Sequence, residues 1–353
     1  MKSFDRLQWQ RVTVAALLLS GCNAPGATLG NLPPSQPAAL APQRSPGLGK
    51  IYVANSGEDS GGTASVLVFA RRADGDVAPA RTIAGSNTGM INPDGIAVDD
   101  AGRIYVADLF AATSGAVLVF GPSADGNATP IATITAGTYL TSGVALDSQQ
   151  NVYACNFEQG KINVFAAKTY QPLRTFYSDY GTYCTDLAID PAGDVYVLVG
   201  GYSGGMRLRS SGSGSYGGLI AVFPAGANGN TKPIRVISGR KTGLNDPGSI
   251  AIDSQGRAYV TSYDKSGEIL VFAAGANGDV RPLWRLRGRQ TRLTVPDSVA
   301  VDERGSIYTS DDSFKTTQSL TVYPPGARGD AKPIRRISGA KTQLLEIHRI
   351  AVR

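Results

Sequence analysis

Eight polar residues lie two or four positions before copies of a short hydrophobic motif that recurs six times along the chain. They carry carboxylate, amide, hydroxyl or imidazole groups, and they are Asn92, Asp94, Ser142, Thr185, Asp246, Asp297, Glu346 and His348. Converging carboxylate and amide oxygens are typical ligands of a hard cation such as calcium, and they also suit a polar ligand. The alternative is structural, because an aspartate at the start of a strand often accepts hydrogen bonds from local backbone N–H groups.

His348 is the only histidine in the chain. A zinc site built from several histidines is therefore excluded. A serine or cysteine nucleophile would have to use His348 as its base, and the sequence contains no G-x-S-x-G elbow. His348 itself has two interpretations: it is a hydrogen-bonded residue of the channel wall, or it has a functional role.

Two hydrophobic motifs alternate along the chain, with six copies of each. The first begins at residues 96, 144, 187, 250, 299 and 350, with sequences IAVD, VALD, LAID, IAID, VAVD and IAVR. The second begins at residues 51, 104, 152, 195, 258 and 307, with sequences IYVANS, IYVADL, VYACNF, VYVLVG, AYVTSY and IYTSDD. This spacing is typical of propeller blades.

Each unit supplies four strand-like runs separated by turn residues. In the turn after the first motif, the Asp99 side chain should bind its own backbone while Gly102 takes a positive φ. The connection that contains Asp74 and Asp76 reads as a hairpin turn rather than a calcium loop, because further ligands are missing. The pattern predicts an all-β, six-bladed β-propeller of four-stranded blades over residues 50–353.

The C-terminal residues 348–353, HRIAVR, form a first motif without the rest of its unit. The N-terminal unit begins at its second motif and lacks an innermost strand. We therefore expect residues 348–353 to pair with residues 51–56 and close the ring.

The N-terminus differs in kind from the repeats. Residues 1–21 combine basic residues with the short apolar run VTVAALLL, which predicts a signal peptide. Leu19-Ser20-Gly21-Cys22 resembles the lipobox of bacterial lipoproteins, which implies acylation of Cys22 and anchoring in a membrane. In the lipoprotein pattern, an asparagine such as Asn23 after the cysteine favours the outer membrane. Residues 22–49 are rich in Pro, Ala and Gly and are predicted to form a tether. The predicted location is the cell envelope.

Two further cysteines, Cys155 and Cys184, are predicted to form a disulfide, with two separate buried thiols as the alternative. Both fall near the same face of adjacent units. The longest insertion, residues 200–218, is rich in Gly and Ser and is either a recognition loop or a segment without function. Its candidate contact residues are Tyr202, Met206, Arg207, Arg209 and Tyr216.

The formal net charge of +6 is modest and is concentrated in the last third of the chain. The basic segments there suit either a polyanionic partner or edge strands protected from edge-to-edge pairing. Together with the predicted export, the modest charge argues against a nucleic-acid partner.

The segment PDGIAVDDAGRIYVADLF followed by AVLVF resembles the NHL repeat, and the resemblance extends over residues 50–353. It implies a propeller but leaves function open, because NHL-type propellers include lyases, sensor ectodomains and nucleic-acid binders. The lyase branch uses several histidines, which this chain lacks.

We therefore predict a lipid-anchored, non-catalytic binding or scaffold module with no required cofactor. Its partner would be an envelope protein or a small polar ligand. The alternative is a hydrolase resembling the calcium-dependent lactonases and esterases, with its site at the channel mouth. Calcium would then be the cofactor, and Asn92, Asn156, Asp297 and Glu346 supply the required ligand types.

Overall fold

The computed structural model describes residues 49–56, 62–178, 183–200, 217–263, 267–311 and 318–353. They form six antiparallel sheets, each with four main strands, and the predicted six-bladed β-propeller is confirmed. Residues 1–48, which include the signal peptide, Cys22 and most of the tether, lie outside the described residues. The insertion residues Tyr202, Met206, Arg207, Arg209 and Tyr216 lie outside them as well.

Strands are numbered β1 to β25 in chain order, and blades are numbered from the N-terminal one. The innermost strands of blades 1 to 6 are β25 (Ile347–Val352), β4 (Pro93–Val98), β8 (Thr141–Leu146), β12 (Cys184–Ile189), β17 (Pro247–Ile252) and β21 (Pro296–Val301). The second strands are β1 (Lys50–Asn55), β5 (Ile104–Asp108), β9 (Val152–Asn156), β13 (Val195–Val199), β18 (Ala258–Ser262) and β22 (Ile307–Asp311).

The outer half of each blade completes the sheet. The third strands are β2 (Ser65–Ala70), β6 (Ala116–Phe120), β10 (Ile162–Phe165), β14 (Leu219–Phe223), β19 (Glu268–Phe272) and β23 (Ser319–Tyr323). The outermost strands are β3 (Arg81–Ala84), β7 (Ala132–Ile134), β11 (Pro172–Tyr177), β16 (Arg235–Ile237), β20 (Trp284–Leu286) and β24 (Arg335–Ile337). A two-residue strand, β15 (Gly229–Asn230), runs parallel to β11.

The helices in the described part of the chain are three-residue 3-10 turns at Ser86–Thr88, Ala111–Thr113 and Ala340–Thr342. None of them has the length or apolar character needed to cross a membrane.

The core consists of apolar clusters that lie between neighbouring blades. The cluster that joins blades 6 and 1 contains Phe69 and Leu67 of blade 1 together with Tyr308 and Val322 of blade 6. Equivalent clusters join every other pair of neighbours. Since burial of apolar area is the main stabilising contribution, each blade depends on both of its neighbours.

Turn chemistry follows the sequence prediction. Asp99 Oδ1 accepts hydrogen bonds from the N–H groups of Ala101 at 3.0 Å and Arg103 at 2.8 Å. Gly102 has φ 81°, a left-handed conformation that glycine adopts without steric cost. The same pattern of acceptance recurs in the other turns of this type, at Asp147, Asp190, Asp253 and Asp302.

The predicted closure of the ring is also confirmed. Strand β25 pairs antiparallel with β1, with Ile51 opposite Val352 and Val53 opposite Ile350. The strand covers residues 347–352, one residue earlier than expected. Arg353 follows it, and its carbonyl accepts a hydrogen bond from the Lys50 N–H at 2.6 Å.

The Asp74 and Asp76 side chains connect two blades instead of stabilising only their own turn. Asp74 Oδ1 accepts from the Arg336 N–H at 2.8 Å, and Asp76 Oδ1 accepts from the Lys341 N–H at 2.7 Å. Both donors belong to blade 6 or the loop that follows it. Equivalent bonds at other blade junctions join Asn127 to Asn87, Asp279 to Lys241, and Asp330 to Gln290.

Candidate functional site

The innermost strands bring the predicted polar residues to one end of the central channel. Each innermost strand contacts the next one around the axis. All six begin at the same end, because every blade has the same antiparallel order. The second and third residues of these strands therefore surround the channel mouth.

His348 is the centre of a carboxylate cluster at this mouth. Its Nδ1 lies 2.9 Å from Asp94 Oδ1, and its Nε2 lies 3.5 Å from Glu346 Oε1. Burial alone would lower the pKa of His348, but the hydrogen bonds to Asp94 and Glu346 and the charge of Asp297 raise it to about 10. The imidazole is therefore a cation at neutral pH, with both nitrogens protonated.

Arg349 extends from the next position of the same strand into the channel. Its Nη2 donates to the carbonyls of Thr185 at 2.9 Å and Gly248 at 2.8 Å. Its Nε lies 3.3 Å from Asp186 Oδ2, and its Nη1 lies 3.7 Å from Asp297 Oδ2. A single guanidinium group thus joins the innermost strands of blades 1, 4, 5 and 6.

The two carboxylates beside Arg349 have partners of their own. Asp186 Oδ2 accepts from Ser249 Oγ at 2.8 Å and from the Ile250 N–H at 3.0 Å. Asp297 Oδ1 accepts from the Tyr263 hydroxyl. Burial raises the pKa of both carboxyl groups, and the charge of Arg349 opposes that rise. Arg349 therefore favours the ionised forms of both aspartates against the effect of burial.

The other predicted residues make local structural bonds. Ser142 Oγ donates to the Cys184 carbonyl at 2.7 Å, which links two neighbouring innermost strands. Thr185 Oγ1 donates to the Leu198 carbonyl at 3.2 Å within its own blade. Asp246 has a left-handed backbone, with φ 52°, immediately before β17. The Ser142 and Thr185 hydroxyls thus bind backbone carbonyls rather than the side chains around His348.

Asn92 and Asn156 take part in hydrogen bonds that hold the loop before an innermost strand, and these bonds recur from blade to blade. The Asn92 N–H donates to the carboxylate of Asp108 at 3.1 Å, and Asn156 Oδ1 accepts from the Tyr139 N–H at 3.2 Å. In each case the last residue of a second strand holds the loop that leads into its own innermost strand. Burial raises the pKa of Asp108 despite four backbone N–H groups that lower it.

Ser56, His348 and Asp94 form a contact chain that resembles a nucleophile, base and orienting acid. Ser56 Oγ lies 3.3 Å from His348 Nε2, but it donates its proton to Glu346 Oε2 at 2.8 Å. Ser56 is also 1% exposed. A nucleophilic serine needs a neutral histidine and access to substrate. This arrangement offers neither, because the imidazole is cationic and the hydroxyl is buried.

Cys155 and Cys184 are joined in a disulfide between the second strand of blade 3 and the innermost strand of blade 4. Their Cα atoms are 6.1 Å apart, within the usual range for a bridge. Because Ser142 binds the Cys184 carbonyl, the disulfide supports one wall of the channel mouth.

Comparison with known proteins identifies the architecture and nothing more specific. No family model and no curated protein matches the sequence. A solved structure of a protein of unknown function from Bacteroides caccae matches with TM-score 0.58 and 11% identity over 86% of this chain and 98% of that one. The chain has the six-bladed β-propeller fold.

Two further structures support the same fold. A chain of a nidogen/laminin complex matches with TM-score 0.57 and 14% identity, over 86% of this propeller chain and 98% of that chain. A hydrazine synthase chain from Kuenenia stuttgartiensis matches with TM-score 0.51 and 14% identity, over 73% and 70% respectively. At these identities the likeness shows the fold alone.

Sequence reasoning missed Arg349 and Asp186, a buried ion pair of the propeller channel. A signal for them was present. The residue directly before each first motif is Gly95, Gly143, Asp186, Ser249, Ser298 or Arg349. Four of these are small, so the aspartate and the arginine stand out as a pair of opposite charges in a crowded channel.

Proposed function

We propose that this chain is a lipid-anchored, non-catalytic recognition module of the cell envelope, built from NHL-like blades, with its binding site at the channel mouth. The observation that carries the proposal is the cluster of Asp94, Glu346 and His348. Their side chains are 9%, 16% and 20% exposed, so they are held in place yet still open to a ligand.

The electrostatics of the mouth favour a polar ligand with positive charge or several hydrogen-bond donors. The two cations, His348 and Arg349, face four carboxylates, those of Asp94, Asp186, Asp297 and Glu346. This cluster carries formal excess negative charge when all of its members are ionised. The ligand would be a small polar molecule or a side chain of an envelope partner, and nucleic acid is disfavoured by the same charge.

The calcium-dependent hydrolase is less well supported by the geometry. Asn156 Oδ1 already accepts from the Tyr139 N–H, and the two carboxylate oxygens of Asp297 already face the Tyr263 hydroxyl and the Arg349 guanidinium. Among the described residues, no group of three or more His, Cys, Asp or Glu side chains is arranged to hold a metal ion.

The binding proposal is tested by chemical cross-linking and affinity capture from envelope extracts. Wild-type protein should capture a partner or polar ligand that Asp94→Asn/Glu346→Gln no longer retains. The matched control is Asp125→Asn/Glu158→Gln, which removes two exposed carboxylates elsewhere on the ring. Equal capture by all three proteins would place recognition away from the channel mouth.

Two measurements test the remaining parts of the proposal. Cys22→Ser should abolish lipid labelling and release the protein from the membrane, and continued labelling would refute the acylation of Cys22. Turnover of ester or lactone substrates that is lost together with bound calcium in Asp297→Ala would overturn the non-catalytic assignment in favour of the hydrolase.

A further inference from the structure

A cavity of about 660 Å³ lies on the outside of the ring, where blade 6 meets blade 1, away from the channel mouth. Its walls come from the outermost strand of blade 6, the loop before blade 6 and the connection of blade 1 that contains Asp74. The charged residues that line it are Arg292, Lys332, Arg335, Arg336 and Asp74. The lining therefore has four positive groups and one negative group.

The positive charges in this cavity are only partly offset in the described part of the protein, by the one carboxylate of Asp74. None of the four basic side chains has an acidic side chain within ion-pair distance there. The Nε atoms of Arg335 and Arg336 are also buried without a hydrogen-bond partner. Since buried donors are normally satisfied, these two groups require an explanation.

Arg335 differs from its counterparts in blades 3 and 4 because the tyrosine that they bind is occupied in blade 6. The counterpart in blade 1, Arg81, donates to the carbonyls of Pro122 and Ala124. In blades 3 and 4, Arg174 and Arg235 stand at the same position and donate to the hydroxyls of Tyr153 and Tyr196. In blade 6 the equivalent tyrosine is Tyr308, and Arg71 of blade 1 donates to it instead.

Arg71 also forms an ion pair with Asp302 of blade 6. Its Nη2 lies 2.6 Å from Asp302 Oδ2, and its Nε donates to the Tyr308 hydroxyl at 3.2 Å. Arg335 is therefore left facing the cavity.

Among the described residues, the Arg336 side chain lacks an acidic partner for a different reason. Its counterpart in blade 5, Arg285, forms an ion pair of 2.8 Å with Glu268, the first residue of that blade's third strand. Blade 6 has Ser319 at the position of Glu268, so no carboxylate is present there. Ser319 Oγ itself is buried without a hydrogen-bond partner in the described residues.

The floor of the cavity is rigid. Asp74 Oδ1 binds the Arg336 N–H at 2.8 Å, and the Gly75 N–H binds the Arg336 carbonyl at 2.8 Å. These bonds fix the backbone between the two arginines across the blade junction. Both side chains therefore extend from a fixed backbone, so binding of a ligand costs no ordering of the main chain here.

We infer that this cavity is an anion-binding site for a phosphorylated group that carries at least two negative charges. Guanidinium groups bind phosphate oxygens through paired N–H donors, and Lys332 and Arg292 add charge at the exposed rim. The phosphate could belong to a free phosphorylated compound or to the headgroup of an anionic lipid.

The first test is isothermal titration of the full chain with inorganic pyrophosphate. Wild-type protein should show saturable binding, and Arg335→Gln/Arg336→Gln should weaken it at least tenfold. The control is Lys161→Gln/Lys168→Gln, which removes two exposed charges from blade 3 and should leave the affinity unchanged. If the double arginine variant does not fold, Arg292→Gln/Lys332→Gln at the rim should show the same loss.

A second experiment distinguishes the two sources of phosphate. The full chain with Cys22→Ser is sedimented with vesicles of phosphatidic acid or of phosphatidylcholine, with and without pyrophosphate. Sedimentation with the phosphatidic acid vesicles but not with the phosphatidylcholine vesicles, reversed by pyrophosphate, would identify a lipid headgroup, whereas pyrophosphate binding without sedimentation would identify a free phosphorylated compound.

Two outcomes would overturn the inference: no saturable pyrophosphate binding, or equal loss in the blade 3 control. The channel-mouth variant Asp94→Asn/Glu346→Gln should keep full pyrophosphate affinity, so failure of one proposal leaves the other intact.

Discussion

The guanidinium of Arg349 lies 3.3 Å from the carboxylate of Asp186, and this ion pair ties the last strand of the chain to the innermost strand of blade 4. Closure of the ring therefore has two parts: the pairing of β25 with β1 inside blade 1, and a cross-channel attachment through Arg349.

Removal of this guanidinium should strongly destabilise the propeller. Arg349→Met leaves Asp186 and Asp297 buried without their cation, and loss of one member of a buried ion pair costs about 3 to 5 kcal/mol. Urea unfolding would measure the loss. Arg349→Met/Asp186→Leu should recover part of it, because the unpaired charge of Asp186 is then gone. A single variant as stable as wild type would contradict this role of Arg349.

Because His348 is protonated in the folded protein, the free energy of unfolding should fall at alkaline pH. The pKa of His348 is raised to about 10 in the folded protein, above its value of about 6.5 in the unfolded chain. The protonated imidazole therefore stabilises the folded protein fully below about pH 6.5, and this contribution is lost as the pH rises to about 10. Urea unfolding at pH 7 and pH 10.5 should show a fall in stability that His348→Gln largely lacks. Because the chain has one histidine, its imidazole NMR signals should titrate near pH 10.

Deletion of the C-terminal strand should open the ring. Removal of residues 347–353 exposes the edge of β1 and removes both Ile350, which packs between blades 6 and 1, and Arg349. We expect loss of cooperative unfolding together with increased aggregation through the free edge. Arg353→Gln is the control and should change the melting temperature by a few degrees at most. Retention of the full melting temperature after the deletion would disprove closure by this strand.

The bond from Asp76 to the Lys341 N–H should make Gly339 sensitive to substitution. Gly339 has φ 133°, and a Cβ atom there would overlap the Asp76 carboxylate. Gly275, with φ 73°, has open space around its Cα and serves as the control. Gly275→Ala should cost about 1 to 2 kcal/mol, the usual backbone penalty, and Gly339→Ala should cost clearly more. Equal losses of unfolding free energy would show that the inter-blade bond adds little.

The disulfide between Cys155 and Cys184 should contribute about 3 kcal/mol, as expected for a closed loop with a sequence separation of 29. Reduction, or the double change Cys155→Ala/Cys184→Ala, should lower the unfolding free energy by that amount. Thiol counting in the denatured, unreduced protein checks the bond directly, and two free thiols at these positions would reject it.

The architecture could be read from the sequence because its signals are local and repeated six times. The turn at Asp99 and Gly102 depends on residues within a few positions of each other, so its chemistry is visible in a short stretch of chain. The closure by β25 was equally visible, because a first motif without its unit at one end complements a unit without its first motif at the other.

The hydrogen bonds between blades could not be predicted from short stretches of sequence. The turn that contains Asp76 was recognised as a turn, but its carboxylate binds Lys341, whose sequence separation from it is 265. Nothing within the turn itself distinguishes a side chain that caps its own backbone from one that caps a neighbouring blade.

The sequence by itself determined the number of blades, the order of strands and the turns, since each follows from short-range periodicity. Only the tertiary structure decided which polar residues meet. It brought His348 to Asp94, and it placed Arg349 between Asp186 and Asp297, because these partners come from separate blades and converge only when the ring closes. Within the described residues it also left the Nε atoms of Arg335 and Arg336 without a hydrogen-bond partner beside a cavity, because Arg71 crosses from blade 1 and Ser319 stands where blade 5 has a glutamate.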